Sequence, residues 1–248
     1  MADGGEATRL ALLESAARLF DEHGYAGTSV SAVVRGAGLT SGALYFHFGG
    51  KENLALAVVE EHFAAWPPII EHVLARPGSA LERVVLLSFE VARAFRDDVM
   101  VRAGSRLWTE RKGINVAMPV PFVGWIETMT PMLAQARLEG GIGAAVDPER
   151  AASVLVCAFF GTHIVSDALD GRELIEDRLT QLWLHFLPAL RPTLDPAEIL
   201  ERSHRLMRCR IPDQQTGQVT GQAAGQATGQ ATGQGEIPPR GSNAPSAA

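Results

Sequence analysis

The sequence predicts an all-α protein, and three observations carry that reading. No stretch alternates apolar and polar residues with the period of two that a half-buried strand requires. Apolar residues instead recur every three or four positions in one segment after another. The segments are separated by helix-start and helix-stop residues, glycines and prolines above all. At 248 residues and 46% hydrophobic, the chain has enough apolar material for a sizeable core. The pattern divides it into an N-terminal three-helix helix-turn-helix unit over 6–52, a larger helical unit over 53–210, and a tail over 211–248.

The first helix is expected from about Glu6 to His23, with Leu10, Leu13, Ala17 and Phe20 turned inward and Gly24 as its stop. Thr28 and Ser29 open a short helix carrying Val30, Val33 and Val34, with Thr28 as its N-cap. Gly36 and Gly38 end that helix. Thr40 then caps a second short one running through Ala43, Leu44 and Phe46. A helix beginning at Lys51 carries Leu54, Val58, Val59 and Phe63 until Pro67-Pro68 breaks it. Ser79 and Glu82 have the spacing of a capping box in front of Leu81, Val84, Val85, Phe89 and Phe95. A shorter helix over 99–112 holds Leu107 and Trp108, and 115–121 is a loop. The next helix carries Phe122, Trp125, Met129 and Leu133 and is expected to be interrupted at Pro131. Asp147-Pro148 starts a very apolar helix over 151–169, and a second apolar helix spans 174–190. In that second helix Ile175, Leu179, Leu182, Phe186 and Leu190 share one face. Asp195-Pro196 opens a last amphipathic helix. Beyond Pro212 the chain repeats TGQA-like tetrads, and a segment so poor in apolar residues is expected to be disordered.

Two short helices around a glycine-bearing turn make a helix-turn-helix, whose second helix enters a DNA major groove. The outward residues suit that task. With Thr28 and Ser29 of the preceding helix, Thr40, Ser41, Tyr45 and His47 offer hydroxyl and imidazole groups to phosphates and base edges. Ala43 offers a methyl-sized contact, Gly42 a close backbone approach, and Lys51 an ammonium for a phosphate. The strings Gly24-Tyr25-x-x-Thr28-Ser29, AGLTSGALYFHF (37–48) and KENLA (51–55) resemble the DNA-binding domain of the TetR family of bacterial repressors, over about 8–59. Taken with its larger helical unit, the chain is most similar to the γ-butyrolactone autoregulator receptor branch. It departs from many members in having Ser41 where they carry a lysine after the cap.

The resemblance implies a homodimer joined through the helices over 151–169 and 174–190, double-stranded pseudo-palindromic operator DNA as a partner, and release by a small hydrophobic effector such as a lactone. It also implies that Trp125, just after the Pro119-Val120-Pro121 loop, lies against that effector. His62, Phe89, Trp108, Met129, Phe160, Thr162, His163 and Ser166 complete the candidate effector site, the last three as polar groups within an apolar helix. Both tyrosines, Tyr25 and Tyr45, fall in the DNA-reading unit, so the effector unit has no phenol. The alternative within the family is a repressor of an efflux or degradative gene answering to another hydrophobic compound.

Charge qualifies the DNA reading. The whole chain has a formal net charge of −6. Residues 1–51 set Arg9, Arg18, Arg35 and Lys51 against Asp3, Glu6, Glu14, Asp21 and Glu22. Few phosphates are neutralised per copy, so affinity leans on dimerisation and neutral hydrogen bonds. Enzymatic chemistry finds no support: His163, Ser166 and Asp167 share a helix with no oxyanion hole, and no phosphate loop, metal-ligand spacing or dinucleotide fingerprint occurs. No cofactor is expected. Two cysteines make no disulfide framework, and Cys157 is expected as a small buried hydrophobe. The N-terminus lacks the basic flank and apolar stretch of a signal peptide, and no run suits a membrane span, so a cytoplasmic protein with no membrane partner is expected.

Overall fold

The computed structural model describes residues 3–208; Cys209 and the tail over 211–248 lie outside the described residues. Eleven α-helices make up those residues, with no strand among them. In chain order they are α1 (Asp3–Gly27), α2 (Val30–Gly36), α3 (Ser41–Phe48), α4 (Lys51–Ala64), α5 (Trp66–Leu74), α6 (Ala80–Asp97), α7 (Val99–Thr109), α8 (Pro121–Leu138), α9 (Pro148–Asp170), α10 (Ile175–Leu190) and α11 (Pro196–Arg208).

Two hydrophobic cores organise them. The first gathers Leu12, Leu13, Ala17 and Phe20 of α1, Val33 of α2, Leu44 of α3 and Leu54, Val58 and Val59 of α4. It closes on Ala103 and Leu107 of α7. The second surrounds α6, whose Leu81, Val84, Val85, Phe89 and Phe95 are buried against α5, α8, α9 and α10. Phe63, at the end of α4, packs against both cores. α4 and α7 therefore tie the DNA-reading unit to the helical body.

Local signals explain most of the boundaries. Ser79 and Glu82 form the reciprocal capping box that starts α6. The Asp147 carboxylate accepts from the Glu149 and Arg150 amides and starts α9. Trp183 of α10 is wholly buried, and its indole N–H donates to Ser88 Oγ on α6 at 2.8 Å. Arg93 and Arg96 of α6 both bind Glu176 of α10, at 2.8 and 2.6 Å.

Several expectations are corrected. The cap of α2 is Ser29, whose Oγ accepts from the Ala32 amide; Thr28 is buried and donates to the Leu19 and Gly24 carbonyls. Leu10 is 52% exposed, because the inward face of α1 starts at Leu12. Gly24 does stop the helical backbone, at φ 70° and ψ 179°, but a further short helical stretch follows it directly, so α1 continues across this kink to Gly27. Pro131 lies inside α8 without ending it, since Met129, Met132 and Leu133 on either side are held in the core. On α10 the buried face is Ile175, Leu179, Trp183, Leu187 and Leu190, which leaves Leu182 and Phe186 half-exposed at its margin.

Helix α9 differs most from expectation. It has the length and composition to cross a membrane, yet it packs on α8 and α10 within the body. Cys157 is exposed, on a surface stripe with Val154, Gly161, Ile164, Val165 and Leu169. This stripe is apolar yet belongs to neither core, which is why composition alone misplaces the cysteine.

Candidate functional site

The first site is α3. Thr40 Oγ1 accepts from the Ala43 amide, and Gly49, left-handed at φ 73°, turns the chain after the helix. Leu44 and Phe48 face inward, which fixes the rotation of α3 on its neighbours. Ser41, Gly42, Tyr45 and Phe46 are thereby exposed, with Ala43 and His47 half-exposed beside them. Ser29 adds an exposed hydroxyl at the start of α2, while the hydroxyl of Thr28, committed to the Leu19 and Gly24 carbonyls, is withdrawn from this surface. Phe46 is 85% exposed. Its ring stands edge-on to His47 at 5.1 Å. An exposed phenylalanine there offers the apolar surface that a thymine methyl group matches. Lys51 lays its ammonium 4.1 Å over the ring of Tyr25, and burial pulls its pKa below the ordinary value. Burial, reinforced by Glu52, pushes the Tyr25 phenol up to about 12.

The end of α1 is gripped by α7. The Tyr25 amide donates to Glu110 Oε2 at 2.7 Å, Arg102 binds the Asp21 carboxylate at 2.8 Å, and Arg106 donates to the Asp21 carbonyl at 2.6 Å. Gly24 makes the fit possible: a Cβ there would stand 2.5 Å from Glu110 Oε1.

Two cavities lie behind this contact. The smaller, about 30 Å³, is a half-open apolar chamber lined by Trp125 and Met129 of α8, Leu87 and Val91 of α6, and Leu155, Val156, Phe159 and Phe160 of α9, with Ser88. The larger, about 300 Å³, lies among α1, α4, α7 and α9. Aromatic walls from Phe95, Trp108, Phe122 and Phe160 meet His62, Ser105, Thr109 and His163 there, beside Arg102, Arg106, Arg172, Asp21, Glu110 and Asp167. Phe160 lines both chambers. Only the larger has the room of a small-molecule site, and the smaller holds little more than a water or two.

The predicted effector residues divide accordingly. Trp125, Met129 and Phe160 line the small chamber, and His62, Trp108, His163 and again Phe160 the large one. Three residues stand apart. Phe89 is sealed in the core against the His204 ring at 4.8 Å. Thr162 spends its hydroxyl on the Ala158 carbonyl at 2.9 Å. Ser166 is wholly buried, lines neither chamber, and has no partner for its Oγ. Trp108 donates its indole N–H to the Pro119 carbonyl at 2.7 Å, which pins the loop ahead of Trp125.

Sequence reading passed over Trp66. It is buried where α5 begins, with its indole N–H unpartnered and its ring 4.9 Å from His62 and 5.4 Å from Trp125. Its position just before Pro67-Pro68, at the joint between the two units, was the available signal. Arg172 was also missed: it is buried, left-handed at φ 73°, bonded to Asp167 at 2.9 Å and within 3.3 Å of His163.

Both buried histidines are neutral at physiological pH. Desolvation lowers His62 to about 4, against a raising hydrogen bond to the Val101 carbonyl. Desolvation, helped by the Arg172 charge, lowers His163 to about 3.

Comparison with known proteins agrees with this layout. Residues 12–58 match the bacterial regulatory proteins of the tetR family, and residues 78–192 a tetracyclin-repressor-like C-terminal domain. The A-factor receptor protein of Streptomyces griseus is 34% identical over 179 residues, 72% of this chain and 62% of that protein, so less than two thirds of the receptor's length is matched. A crystal structure of a γ-butyrolactone receptor (ArpA-like protein) superposes with a TM-score of 0.69 at 33% identity, covering 82% of this chain and 98% of that one. The CprB protein of Streptomyces coelicolor, in complex with its operator sequence, superposes with a TM-score of 0.70 at 32% identity, over 83% and 98% of the two chains. The chain belongs to the TetR family of bacterial regulatory proteins.

Proposed function

We propose that this protein is a homodimeric transcriptional repressor that binds a pseudo-palindromic operator through α3 of each copy and leaves it on binding a small hydrophobic lactone. The observation that carries the reading is the outer face of α3, where Ser41, Tyr45, Phe46 and His47 crowd an exposed surface whose inner residues are locked in the core. With Ser29, Thr40, Ala43 and Gly42 beside them, they supply hydrogen-bonding and apolar contacts for a major groove. Lys51, drawn over Tyr25, is a weaker phosphate partner than its position suggests. The protein acts where the DNA is, in the cytoplasm.

A second copy is needed to present two such helices, and the surface of α9 suits it. Val154, Ile164, Val165 and Leu169 are 55%, 63%, 51% and 67% exposed, an apolar stripe more extensive than a free surface favours. The half-exposed Leu182 and Phe186 of α10 extend it.

The effector reading rests on the paired chambers and on the receptors this chain resembles. An alkyl tail against Trp125 and Met129 and a polar head in the larger chamber place the ligand beside Arg102, Arg106 and Glu110, which hold the end of α1. Moving these groups changes the seat of the DNA-reading unit. Shifting nearly all of the protein from bound to free requires about 5.5 kcal/mol of differential affinity between the two states.

Mobility-shift titration on the DNA flanking the protein's own gene, with and without a panel of alkyl γ-butyrolactones, tests this directly. Trp125→Ala is expected to keep operator binding and lose the response. A variant that still leaves DNA at the wild-type ligand concentration would place the tail elsewhere.

A further inference from the structure

We propose that the larger cavity selects its effector's head through two histidines of opposite tautomer, His62 accepting a hydrogen bond from an alcohol and His163, with Ser105, donating to a carbonyl. The head that satisfies both is neutral and carries one hydrogen-bond donor and one acceptor. This rests on the proposed effector function and specifies the chemistry of the same site.

The tautomers are set by the partners. His62 Nδ1 lies 2.8 Å from the Val101 carbonyl, which accepts only, so the proton is on Nδ1 and Nε2 keeps the lone pair. His163 Nδ1 lies 3.3 Å from Arg172 Nε, which donates only, so the lone pair is on Nδ1 and the proton on Nε2. The acidic pKa values of both rings exclude the doubly protonated form. His163 Nε2 is 3.4 Å from Ser105 Oγ, a long contact that lets the serine accept weakly and turn its own proton toward a ligand.

Packing holds both rings in place. A Cβ on Gly104 would lie 2.3 Å from the His62 Cβ, so that helix approach exists only because residue 104 is glycine. Phe95 packs on both histidines, its ring centroid 5.9 Å from His62 and 3.9 Å from His163.

A charged head fits less well. Arg102, Arg106 and Arg172 line the cavity, but each is already paired, with Asp21, Glu110 and Asp167 respectively, and those carboxylates line it too. The charges balance, which leaves the neutral histidines to discriminate.

The test uses the full-length protein and three probes: a 2-alkyl-3-(hydroxymethyl)-γ-butyrolactone, its O-methyl ether, and the matching tetrahydrofuran without the carbonyl. Affinities come from calorimetry. His62→Asn keeps the donor to Val101 and leaves no acceptor at the Nε2 position, whereas His163→Asn keeps the acceptor for Arg172 and leaves no donor at the Nε2 position. Wild type is expected to prefer the alcohol to its ether, and the lactone to the tetrahydrofuran, by about tenfold or more each, because an unmatched buried polar group is costly. His62→Asn should lose only the first preference and His163→Asn only the second.

Preferences that survive in both variants overturn the assignment. So does a wild type that binds all three probes equally, although the lactone reading then stands; a wild type that binds none overturns both. Nitrogen-15 spectra of the free wild-type protein give an independent reading that needs no variant to be stable. Protons on His62 Nδ1 and His163 Nε2 are expected, and either tautomer reversed defeats the proposal.

Discussion

His62 and His163 remain neutral because the fold withholds water from them, and that has a measurable cost in acid. An unfolded chain takes up protons on these histidines near the ordinary pKa of about 6.5. The folded chain takes them up only near about 4 and about 3. Between those values the unfolded state holds more protons, so stability falls as pH is lowered through that window. At pH ~5 the loss is expected to reach roughly 2 kcal/mol per histidine as an upper figure, with Asp98 near His62 and Arg172 near His163 setting its size. Urea unfolding at several pH values measures it, and the slope should shrink in His163→Asn. On the DNA side, Tyr45→Ala is expected to abolish specific operator binding with unchanged circular dichroism, since the 55% exposed ring contributes little to the core. Legibility at this scale was uneven. Ser41, Tyr45 and His47 were readable because a capped helix with fixed inward residues leaves few outward ones. Thr28 and Ser29 were not separable, because adjacent hydroxyls are equally good caps, and it is the distant Leu19 and nearby Gly24 carbonyls that draw Thr28 inward. Cys157 was misplaced because an apolar residue on an exposed stripe looks the same in sequence as one facing the core.

Capped helices were the most legible elements. The Ser79–Glu82 box, the Asp147-Pro148 start and the Thr40 cap all form where the residues predict them, because each signal is local. Approach between helices was not legible, since it depends on residues far apart in sequence. Gly104 is the clearest instance: nothing near it in sequence shows that α4 presses His62 against it. Gly104→Ala is expected to destabilise the protein by about 1–3 kcal/mol through overpacking and to weaken effector binding by displacing His62. Thermal unfolding combined with calorimetry separates these effects. Helix α9 provides the complementary case. Val165 is 51% exposed in the single chain, so Val165→Glu should leave the monomer folded and cut operator binding together with dimer formation. Sedimentation of a folded variant that remains dimeric would remove α9 from the interface.

At the scale of the whole molecule, the balance of charge and the placement of α7 set the behaviour. A DNA-reading unit in which acidic residues outnumber basic ones releases few counterions, so the salt dependence of operator binding should be shallow, well below the slope of roughly 10 of a strongly basic repressor. Titrations of affinity against salt at fixed temperature measure that slope. The chamber beside Trp125 carries a consequence for time rather than affinity. At about 30 Å³ it is too small for an alkyl chain as it stands, so the proposed seating of the effector's tail there is expected to follow a movement of its lining at Phe160. Observed association rates should then rise with effector concentration and level off at the opening rate. Stopped-flow tryptophan emission will show that plateau, and Phe160→Ala should lift it; a rate that climbs linearly without limit would mean that the effector is captured first and the chamber opens around it.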